Sequence, residues 1–297
     1  MVKGVMQWTD RIRQSLKYRL FHGYCNVLRQ IKAGHLPTIG WQPFDATLPI
    51  GVITTRVSDV PLLAYNLASM MARVQRRPSL WLVGDSDAAY QELQIRFAGA
   101  PPEVQLFHWQ MLLDALPANY HPFITDWSQR RWGGFAKKFT AYLAANHRSD
   151  VLLLDADILW FGNFLAVLEA LLQTGHTTML AGRDYQQSYD LSIIEALHDR
   201  RLLEEDPMNI GLAYCPQGIL PRILFPEKLE SLRPCLEKDS FYFEQTLMAH
   251  VFWQVEGRWF DEATLATTLV DDFRLTSSVK ALIRHYAGGK HLFWRDA

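Results

Sequence analysis

The sequence predicts an α/β protein in which a mainly parallel central sheet is flanked by helices. Three observations support this fold class: apolar, β-branched runs recur along the chain, helical patterns alternate with them, and the runs are apolar on both faces, as in covered parallel sheets. The predicted strands are 50–55, 79–84, 104–109, 151–154 and 177–181, and the predicted helices are 62–74, 88–97, 137–146 and 165–173.

Each element has its own signal. IGVITT at 50–55 and SLWLVG at 79–84 are short apolar runs, and VLLL at 151–154 is apolar throughout. Between the first two runs, apolar residues at three- and four-residue steps predict a helix with one buried face, made by Leu63, Leu67, Met70, Met71 and Val74. After residue 185 the regularity declines, which predicts irregular connections in a substrate-binding portion.

Composition excludes several classes of protein. With 49% hydrophobic and 21% charged residues, the chain is too apolar to be disordered. A net charge of −1 gives no electrostatic basis for nucleic-acid binding. Three cysteines without a CxxC spacing favour a reducing, cytoplasmic setting. No apolar run approaches the roughly 20 residues that cross a bilayer.

Residues 1–46 differ from the rest and are predicted to be a basic amphipathic helix over 5–32 with a linker, followed by one domain at 47–297. Residues 1–35 contain seven basic residues and one acidic residue, a net charge of +6, whereas the remainder carries −7. Two interpretations stay open. The helix either lies on an anionic membrane surface, at the inner face of the membrane, or packs on the domain.

The strongest chemical signal is Asp155-Ala156-Asp157, which directly follows the strand at 151–154. Side chains two residues apart in extended chain point the same way, so both carboxylates converge at the strand end. Two such oxygen donors suit Mg²⁺ or Mn²⁺. Asp85-Ser86-Asp87 has the same spacing after another strand. So short a motif is expected about once by chance, and position must decide between the two.

The segment DADILWFGN at 155–163 resembles the DxD segment of GT-A fold glycosyltransferases, which use nucleotide-sugar donors. Further segments, in the same order, resemble the retaining family 8 of these enzymes. Lys137-Lys138 resembles the basic residue that approaches the nucleotide sugar, and Asp184 resembles the acidic residue after the next strand, near sugar and acceptor.

Three later segments extend the resemblance to residue 294. Asn209-Ile210-Gly211 is similar to the Asn-Ser-Gly segment of the family, and Glu244-Gln245 to its Asp-Gln pair beside the anomeric carbon. His285-Tyr286-Ala287-Gly288 resembles its His-x-x-Gly, whose histidine is the third metal ligand. The sequence departs from the pattern at Ile210, at the longer Glu244, and at Lys290, which follows His285 by five residues instead of six.

The resemblance implies a metal-dependent glycosyltransferase that moves a hexose from a nucleotide-diphosphate sugar, with UDP as the default nucleotide, to a saccharide, lipid or protein hydroxyl with retention. It implies Mn²⁺ or Mg²⁺ on Asp155, Asp157 and His285, and catalytic roles for Gln245, Asp184 and Glu244. Asn209 and Gly211 would contact sugar or acceptor. The expected donor-binding residues are Thr54, Thr55, Arg56, Lys138, Asp155, Gly288 and Lys290.

Each of these segments also has an ordinary structural interpretation. His285 could be a surface or capping residue, and Asp184 could cap a turn. Glu244-Gln245 could be the polar face of a helix over 241–252, and 209–211 an ordinary turn. Lys137-Lys138 could be a solvated helix face. If all of these interpretations were correct, the segments would match the order of the family's motifs only by chance.

Two other functions remain open. A haloacid-dehalogenase-type phosphatase also has a strand followed by DxD, and residues 268–272 resemble its late acidic pair, although Leu159 stands where that family has Thr or Val. The alternative from another class is a non-catalytic, membrane-associated module carried by the basic helix.

Overall fold

The computed structural model of the protein describes residues 19–173, 178–267 and 280–297. Within them the strands are β1 Ile50–Thr55, β2 Leu80–Gly84, β3 Val104–His108, β4 Val151–Leu154, β5 Ile158–Trp160, β6 Leu180–Arg183, β7 Met208–Cys215, β8 Arg258–Trp259, β9 Leu265–Thr267 and β10 Ile283–His285. The helices are α1 at 19–34, α2 Val60–Arg73, α3 Asp87–Arg96, α4 Trp109–Asp114, α5 His121–Ser128, α6 Gly133–Asn146, α7 Phe164–Gln173, α8 Leu191–Leu197, α9 Arg201–Glu204, α10 Ile219–Ile223, α11 Pro226–Ser231, α12 Phe243–Gln254 and α13 Lys290–Asp296.

The central sheet confirms the predicted fold class. In the described residues it has seven strands in the order β3-β2-β1-β4-β7-β6-β8. The strands β3, β2, β1 and β4 are parallel, β7 is antiparallel to both neighbours, and β6 is parallel to β8. The sheet is therefore mainly parallel, with one reversed strand, β7, in the fifth of its seven positions.

Alternate residues of the central strands enter two cores, one on each face of the sheet. Val52 and Leu153 belong to the core shared with α5, α6 and α12, whereas Ile53 and Leu154 belong to the core shared with α2, α7 and α13. All four side chains are fully buried. Burial on both faces explains why these strands are continuously apolar in the sequence.

A second, three-stranded sheet has the order β5-β10-β9 in the described part of the chain. β10 pairs antiparallel with β5, so that His285 lies opposite Ile158, and parallel with β9. Only three residues separate β4 from β5, and they are Asp155, Ala156 and Asp157. The DxD segment is thus the junction between the two sheets.

The expected irregularity after residue 185 was wrong. Residues 208–215 form the fully buried β7, and α12 runs from Phe243 to Gln254 instead of over 241–252. The predicted strand at 177–181 is found as Leu180–Arg183, with residue 177 outside the described residues. The predicted helix at 137–146 begins earlier, at Gly133.

Residues 19–34 of the predicted N-terminal helix are helical, and the part before residue 19 lies outside the described residues. Cys25 is fully buried, and Phe21 and Leu28 pack against the same core as α13. In the linker, Trp41 and Phe44 also pack on this core. Among the described residues, no helix is both long and apolar enough to cross a membrane.

Candidate metal and donor site

The candidate site lies at the carboxyl end of β4, where the two sheets meet. The Asp155 N–H donates to the carbonyl of Gly211 at 2.8 Å, which extends the β4–β7 ladder by one residue. The Tyr286 N–H donates to the carbonyl of Asp157 at 3.0 Å, which fixes the start of β5 against β10. Backbone pairing on two sides therefore sets the positions of both carboxylates and of His285.

Helix α2 also holds the DxD segment through a hydrogen bond. Asn66 of α2 donates through Nδ2 to the carbonyl of Asp155 at 3.0 Å, and accepts from the indole N–H of Trp160 at 2.7 Å. Both side chains are buried. Nothing in the sequence pattern indicated this role for Asn66, which lies 89 residues from its acceptor.

Asp155, Asp157 and His285 come together as the sequence resemblance implied. Each offers one ligand atom, and these atoms all lie within 4.8 Å of one another. His285 Nε2 is 3.4 Å from an oxygen of each carboxylate. His285 and Asp157 are buried, at 3% and 5% exposed, so a surface role for His285 is excluded.

Charge pairing dominates this buried cluster. Burial alone would lower the pKa of His285, but hydrogen bonds and charge contact with Asp155 and Asp157 raise it to about 9. Burial would raise the pKa of the Asp155 carboxyl, and Lys138 and His285 reverse that and hold it low. The cluster therefore carries two carboxylates that require positive charge nearby.

The donor set fits a divalent cation. Two carboxylates and an imidazole suit Mn²⁺ or Mg²⁺, whose ligand atoms lie about 2 Å from the ion and so about 3–4 Å from each other. Each separation of 3.4 Å between His285 Nε2 and a carboxylate oxygen falls in that range. The Nδ1 of His285 is buried with no hydrogen-bond partner among the described residues.

Gly211 makes room for the His285 ring. A methyl group built on Gly211 would lie 2.0 to 2.4 Å from three ring atoms of His285. Gly211 belongs to β7, so the interpretation of residues 209–211 as a turn was wrong. A side chain at this position would displace the imidazole, and glycine is needed here for close approach rather than for an unusual backbone angle.

Lys138 faces the site and Lys137 does not. The Lys138 ammonium is 2.7 Å from Asp155 Oδ1 and 3.6 Å from Glu244 Oε2. Burial disfavours its charge, but these two carboxylates outweigh burial and raise the pKa of Lys138 well above its usual value. Lys137 instead donates to the carbonyl of Asp85 at 2.8 Å. Neither is a solvated helix face.

Lys290 approaches the cluster from the other side, at the start of α13. Its ammonium is 3.2 Å from Asp59 and 3.4 Å from Asp157. Asp59 also pairs with Arg56 at 2.9 Å, which connects the end of β1 to the site. Asp59 is a contact that the sequence did not reveal, because it lies 231 residues from Lys290.

The remaining expected donor residues lie in two chain segments. Thr54 and Thr55 are the last residues of β1, and the Thr55 hydroxyl donates to the carbonyl of Arg56 at 3.1 Å. Because β1 is the parallel neighbour of β4, they lie at the same end of the sheet as the DxD segment. Gly288 is exposed in the turn between β10 and α13, two residues before Lys290.

Gln245, Asp184 and Asn209 form a second cluster. Gln245 Nε2 donates to Asp184 Oδ2 at 3.1 Å and to the carbonyl of Met208 at 2.9 Å. Asn209 Nδ2 lies 3.4 Å from the same Asp184 oxygen, and Asn209 Oδ1 accepts the Gly211 N–H at 2.9 Å. Through Gly211, this amide–carboxylate cluster adjoins the metal-ligand candidates.

Glu244 is buried beside Lys138, and it is not part of a polar, solvated helix face. It is 2% exposed, and its Oε1 has no hydrogen-bond partner among the described residues. Burial, together with the charge of Asp155, outweighs Lys138 and raises the pKa of Glu244 to about 7.

The second DxD has an ordinary structural role. Ser86 is the N-cap of α3 and accepts the Ala89 N–H, and the Asp87 side chain is 94% exposed beside His108. In the part of the chain that the structure describes, neither Asp85 nor Asp87 joins a group of metal-ligating side chains. Residues 268–272, which resembled a phosphatase acidic pair, lie outside the described residues.

We expect Gly211→Ala to displace the His285 ring. Because the pKa of about 9 depends on contact with Asp155 and Asp157, it should fall towards 6.5 in the metal-free variant. NMR titration of the imidazole resonances measures this change. Gly99→Ala, where an added methyl meets no atom within 4 Å, should leave the titration unaltered. An unchanged His285 pKa in Gly211→Ala would contradict the geometry.

We expect Glu244 to make stability depend on pH. Between its usual pKa of 4.5 and about 7, the native carboxyl keeps a proton that the unfolded chain has lost, so the free energy of unfolding falls as pH rises through this window. Glu244→Gln removes the titration and should flatten this slope. Urea unfolding at pH 5 and pH 7.5 measures it, and equal slopes in both proteins would refute the assignment.

In sequence, the chain matches no family model and no curated protein. Among solved structures it is similar to mouse xyloside xylosyltransferase 1, with a TM-score of 0.53 and 13% identity over 80% of this chain and 97% of that one. It is also similar to the bifunctional glycosyltransferase WbbM, with a TM-score of 0.52 and 13% identity over 84% of this chain and 47% of the other.

These neighbours are glycosyltransferases of the GT-A type. The similarity extends over most of this chain, and at this identity what it establishes is the shared fold. The GT-A fold implied by the DxD segment is thereby confirmed, and the protein is a GT-A fold α/β protein.

Proposed function

We propose that the protein is a metal-dependent glycosyltransferase that moves a hexosyl group from a nucleotide-diphosphate sugar to an acceptor hydroxyl. The observation that carries the proposal is the triad of Asp155, Asp157 and His285 at the carboxyl end of β4, within a GT-A fold. Ligands of open α/β sheets bind beyond this end of the strands. UDP-hexose is the leading donor, from the resemblance to family 8.

The three side chains of the triad would hold Mn²⁺ or Mg²⁺. The histidine nitrogen favours Mn²⁺, because Mg²⁺ prefers an all-oxygen shell. The bound ion would supply positive charge to the diphosphate that leaves the sugar. The Asp157 carboxylate and the imidazole are buried and Asp155 is partly buried, so bulk water has limited access to this position, which strengthens the charge interactions there.

Lysines on both sides of the triad would bind the donor phosphates. Lys138 is held by Asp155 and Glu244, and Lys290 by Asp157 and Asp59, so both ammonium groups are oriented before donor binds. Gly288, without a side chain, would let the backbone approach the phosphates. Thr54, Thr55 and Arg56 at the end of β1 would contact the nucleotide.

Gln245 and Asp184 would act at the anomeric carbon. Asp184 is oriented by hydrogen bonds from Gln245 and Asn209, and the buried, unsatisfied Oε1 of Glu244 would accept a sugar hydroxyl. The acceptor oxygen bonds to the anomeric carbon as the bond from that carbon to the diphosphate breaks. The acceptor proton passes to the departing phosphate oxygen on the same face, which gives retention.

The alternatives are less well supported. The fold does not support the phosphatase hypothesis, because the structural neighbours are GT-A glycosyltransferases. A non-catalytic module would not need a buried triad flanked by two oriented lysines. We propose a saccharide, lipid or protein hydroxyl as the acceptor, and a cytoplasmic location, which the three cysteines without a CxxC spacing support.

The metal assignment predicts different results for the two DxD motifs. We expect a chelator to abolish sugar transfer and Mn²⁺ to restore it. Asp157→Ala should reduce transfer about 10²–10³-fold, because one charged ligand opposite the phosphates is lost. Radiolabelled transfer from UDP-hexoses, and from a pentosyl donor because one neighbour is named a xylosyltransferase, measures the rates.

Asp87→Ala is the matched control for this experiment. It removes a carboxylate from the same sequence pattern at an exposed position, and should leave transfer close to that of the unaltered protein. Donor binding, read as a Mn²⁺-dependent rise in melting temperature, should be lost with Asp157→Ala and kept with Asp87→Ala. The reverse ranking would overturn the site.

Gln245→Ala should separate catalysis from donor binding. Among the described residues, the Gln245 amide bonds to Asp184 and to the Met208 carbonyl and to none of the expected phosphate-binding side chains, so we expect kcat to fall while affinity for the nucleotide diphosphate stays nearly constant. Asp184→Ala should behave alike. Gln110→Ala, on α4, is the control. Isothermal titration with UDP and Mn²⁺ alongside transfer rates measures both, and an equal loss of affinity would place Gln245 elsewhere.

A further inference from the structure

The helix α1 has one apolar face that the described protein does not cover. Its side chains recur at steps of four, three and four residues, which places them in one stripe along the helix. Each is more than half exposed, and the stripe consists of Leu20, Tyr24, Val27 and Ile31. Over these positions the helix rises about 17 Å. An apolar stripe of this length marks an interaction surface rather than a single surface residue.

A different face of α1 accounts for its attachment to the domain. Cys25 is fully buried, and Phe21 lies edge-on to the ring of His291 and beneath the guanidinium of Arg295, both in α13. At the end of the helix, the Tyr65 hydroxyl of α2 donates to the carbonyl of Lys32 at 3.3 Å. The helix is therefore packed on the domain, as one interpretation of the sequence held, and still presents the stripe outward.

The charge around α1 indicates what covers the stripe. From residue 11 to residue 44 the sequence has no acidic residue, while it has six basic ones. Arg19 is exposed on α1 at the edge of the stripe, whereas Arg29 is exposed on the opposite side of the helix. The chain beyond residue 35 carries a net charge of −7, so an anionic surface attracts α1 and repels the rest.

A second copy of the chain fits this face poorly. A two-fold contact through the stripe would bring the basic segments of both copies together, and no acidic residue at 11–44 is there to pair their six basic residues. An anionic bilayer has both the apolar depth for the stripe and the charge for the basic residues, and tyrosine suits its interface.

We propose that the stripe of Leu20, Tyr24, Val27 and Ile31 binds the surface of an anionic phospholipid bilayer. The helix lies in the membrane plane with this stripe among the headgroups and acyl chains, and with the face of Phe21, Cys25 and Leu28 on the domain. On the domain side, α1 packs against α13. The first residue of α13 is Lys290, whose ammonium contacts Asp157 of the candidate site. A membrane bound to α1 is therefore connected to the site through α13.

Vesicle co-sedimentation of the full chain tests the proposal. Vesicles of phosphatidylcholine with about one third phosphatidylglycerol should bind the protein at low salt at least about tenfold more strongly than phosphatidylcholine alone, and high salt should weaken binding. Replacing Leu20, Val27 and Ile31 together by Gln keeps charge and helix propensity, and should lower binding to anionic vesicles at least about tenfold.

The control removes equally exposed apolar residues elsewhere. Replacing Ile95, Met111 and Leu203 together by Gln changes three exposed residues on other helices and should leave vesicle binding intact. A third variant, Arg19→Gln with Arg29→Gln, should weaken binding to anionic vesicles and leave the weak binding to neutral ones as it is. Melting temperature and Mn²⁺-dependent binding of UDP report whether each variant is folded, independently of lipid.

Three results would overturn the proposal. The first is equal vesicle binding by the stripe variant and the unaltered chain. The second is a dimer in analytical ultracentrifugation that the stripe variant dissociates, which would assign the stripe to a second copy. The third is a lower melting temperature of the stripe variant without any vesicle binding by the unaltered chain, which would show that the protein's own residues cover the stripe. None of them bears on sugar transfer, which is measured separately.

Discussion

The site depends on one constraint: three carboxyl groups are gathered where water is largely excluded, and each needs positive charge or a proton. Asp155 pairs with Lys138 and His285, and Asp157 pairs with His285 and Lys290. Glu244 also contacts the Lys138 ammonium. Burying such charges costs several kcal/mol each unless they are paired. In the metal-free protein, the imidazole and the two ammonium groups provide that pairing, which keeps the carboxylates ionised and close together.

This arrangement explains why the surrounding structure is so constrained. The imidazole reaches both carboxylates only because β7 carries a glycine opposite it, and the carboxylates face each other only because backbone pairing at Gly211 and Tyr286 fixes both ends of the short turn. Asn66 holds the Asp155 carbonyl from a separate helix. Small changes in these supporting residues would alter the charge balance without touching a ligand atom.

The sequence predicted the part of the fold whose signal is local. β1, β2 and β4 are buried on both faces, so their apolar runs are continuous and their positions were right to within a residue. β7 was missed because Asn209 and Gly211 interrupt its apolar run where it passes the site. β5, β9 and β10 have three residues each, too few for a strand period to show.

The candidate site was predicted by a different kind of signal. The order of motifs placed Asp155, Asp157, His285, Lys138 and Lys290 together, and the structure confirms their proximity. Asn66 and Asp59 could not be foreseen, because the local sequence around a polar residue is the same whether its side chain faces water or a partner far along the chain. The distinction between Lys137 and Lys138 likewise required the packing of α6.

The position of the triad at the junction of the two sheets has a mechanical consequence. Asp155 directly follows the last residue of β4 in the large sheet, whereas His285 is the last residue of β10 in the small one. A ligand bound by both side chains would link the two sheets. The sheets could then separate only after the ligand dissociates. Local opening of β9 and β10, observed as amide hydrogen exchange, would then slow by the factor 1 + [L]/Kd, where [L] is the concentration of the ligand and Kd its dissociation constant at the triad.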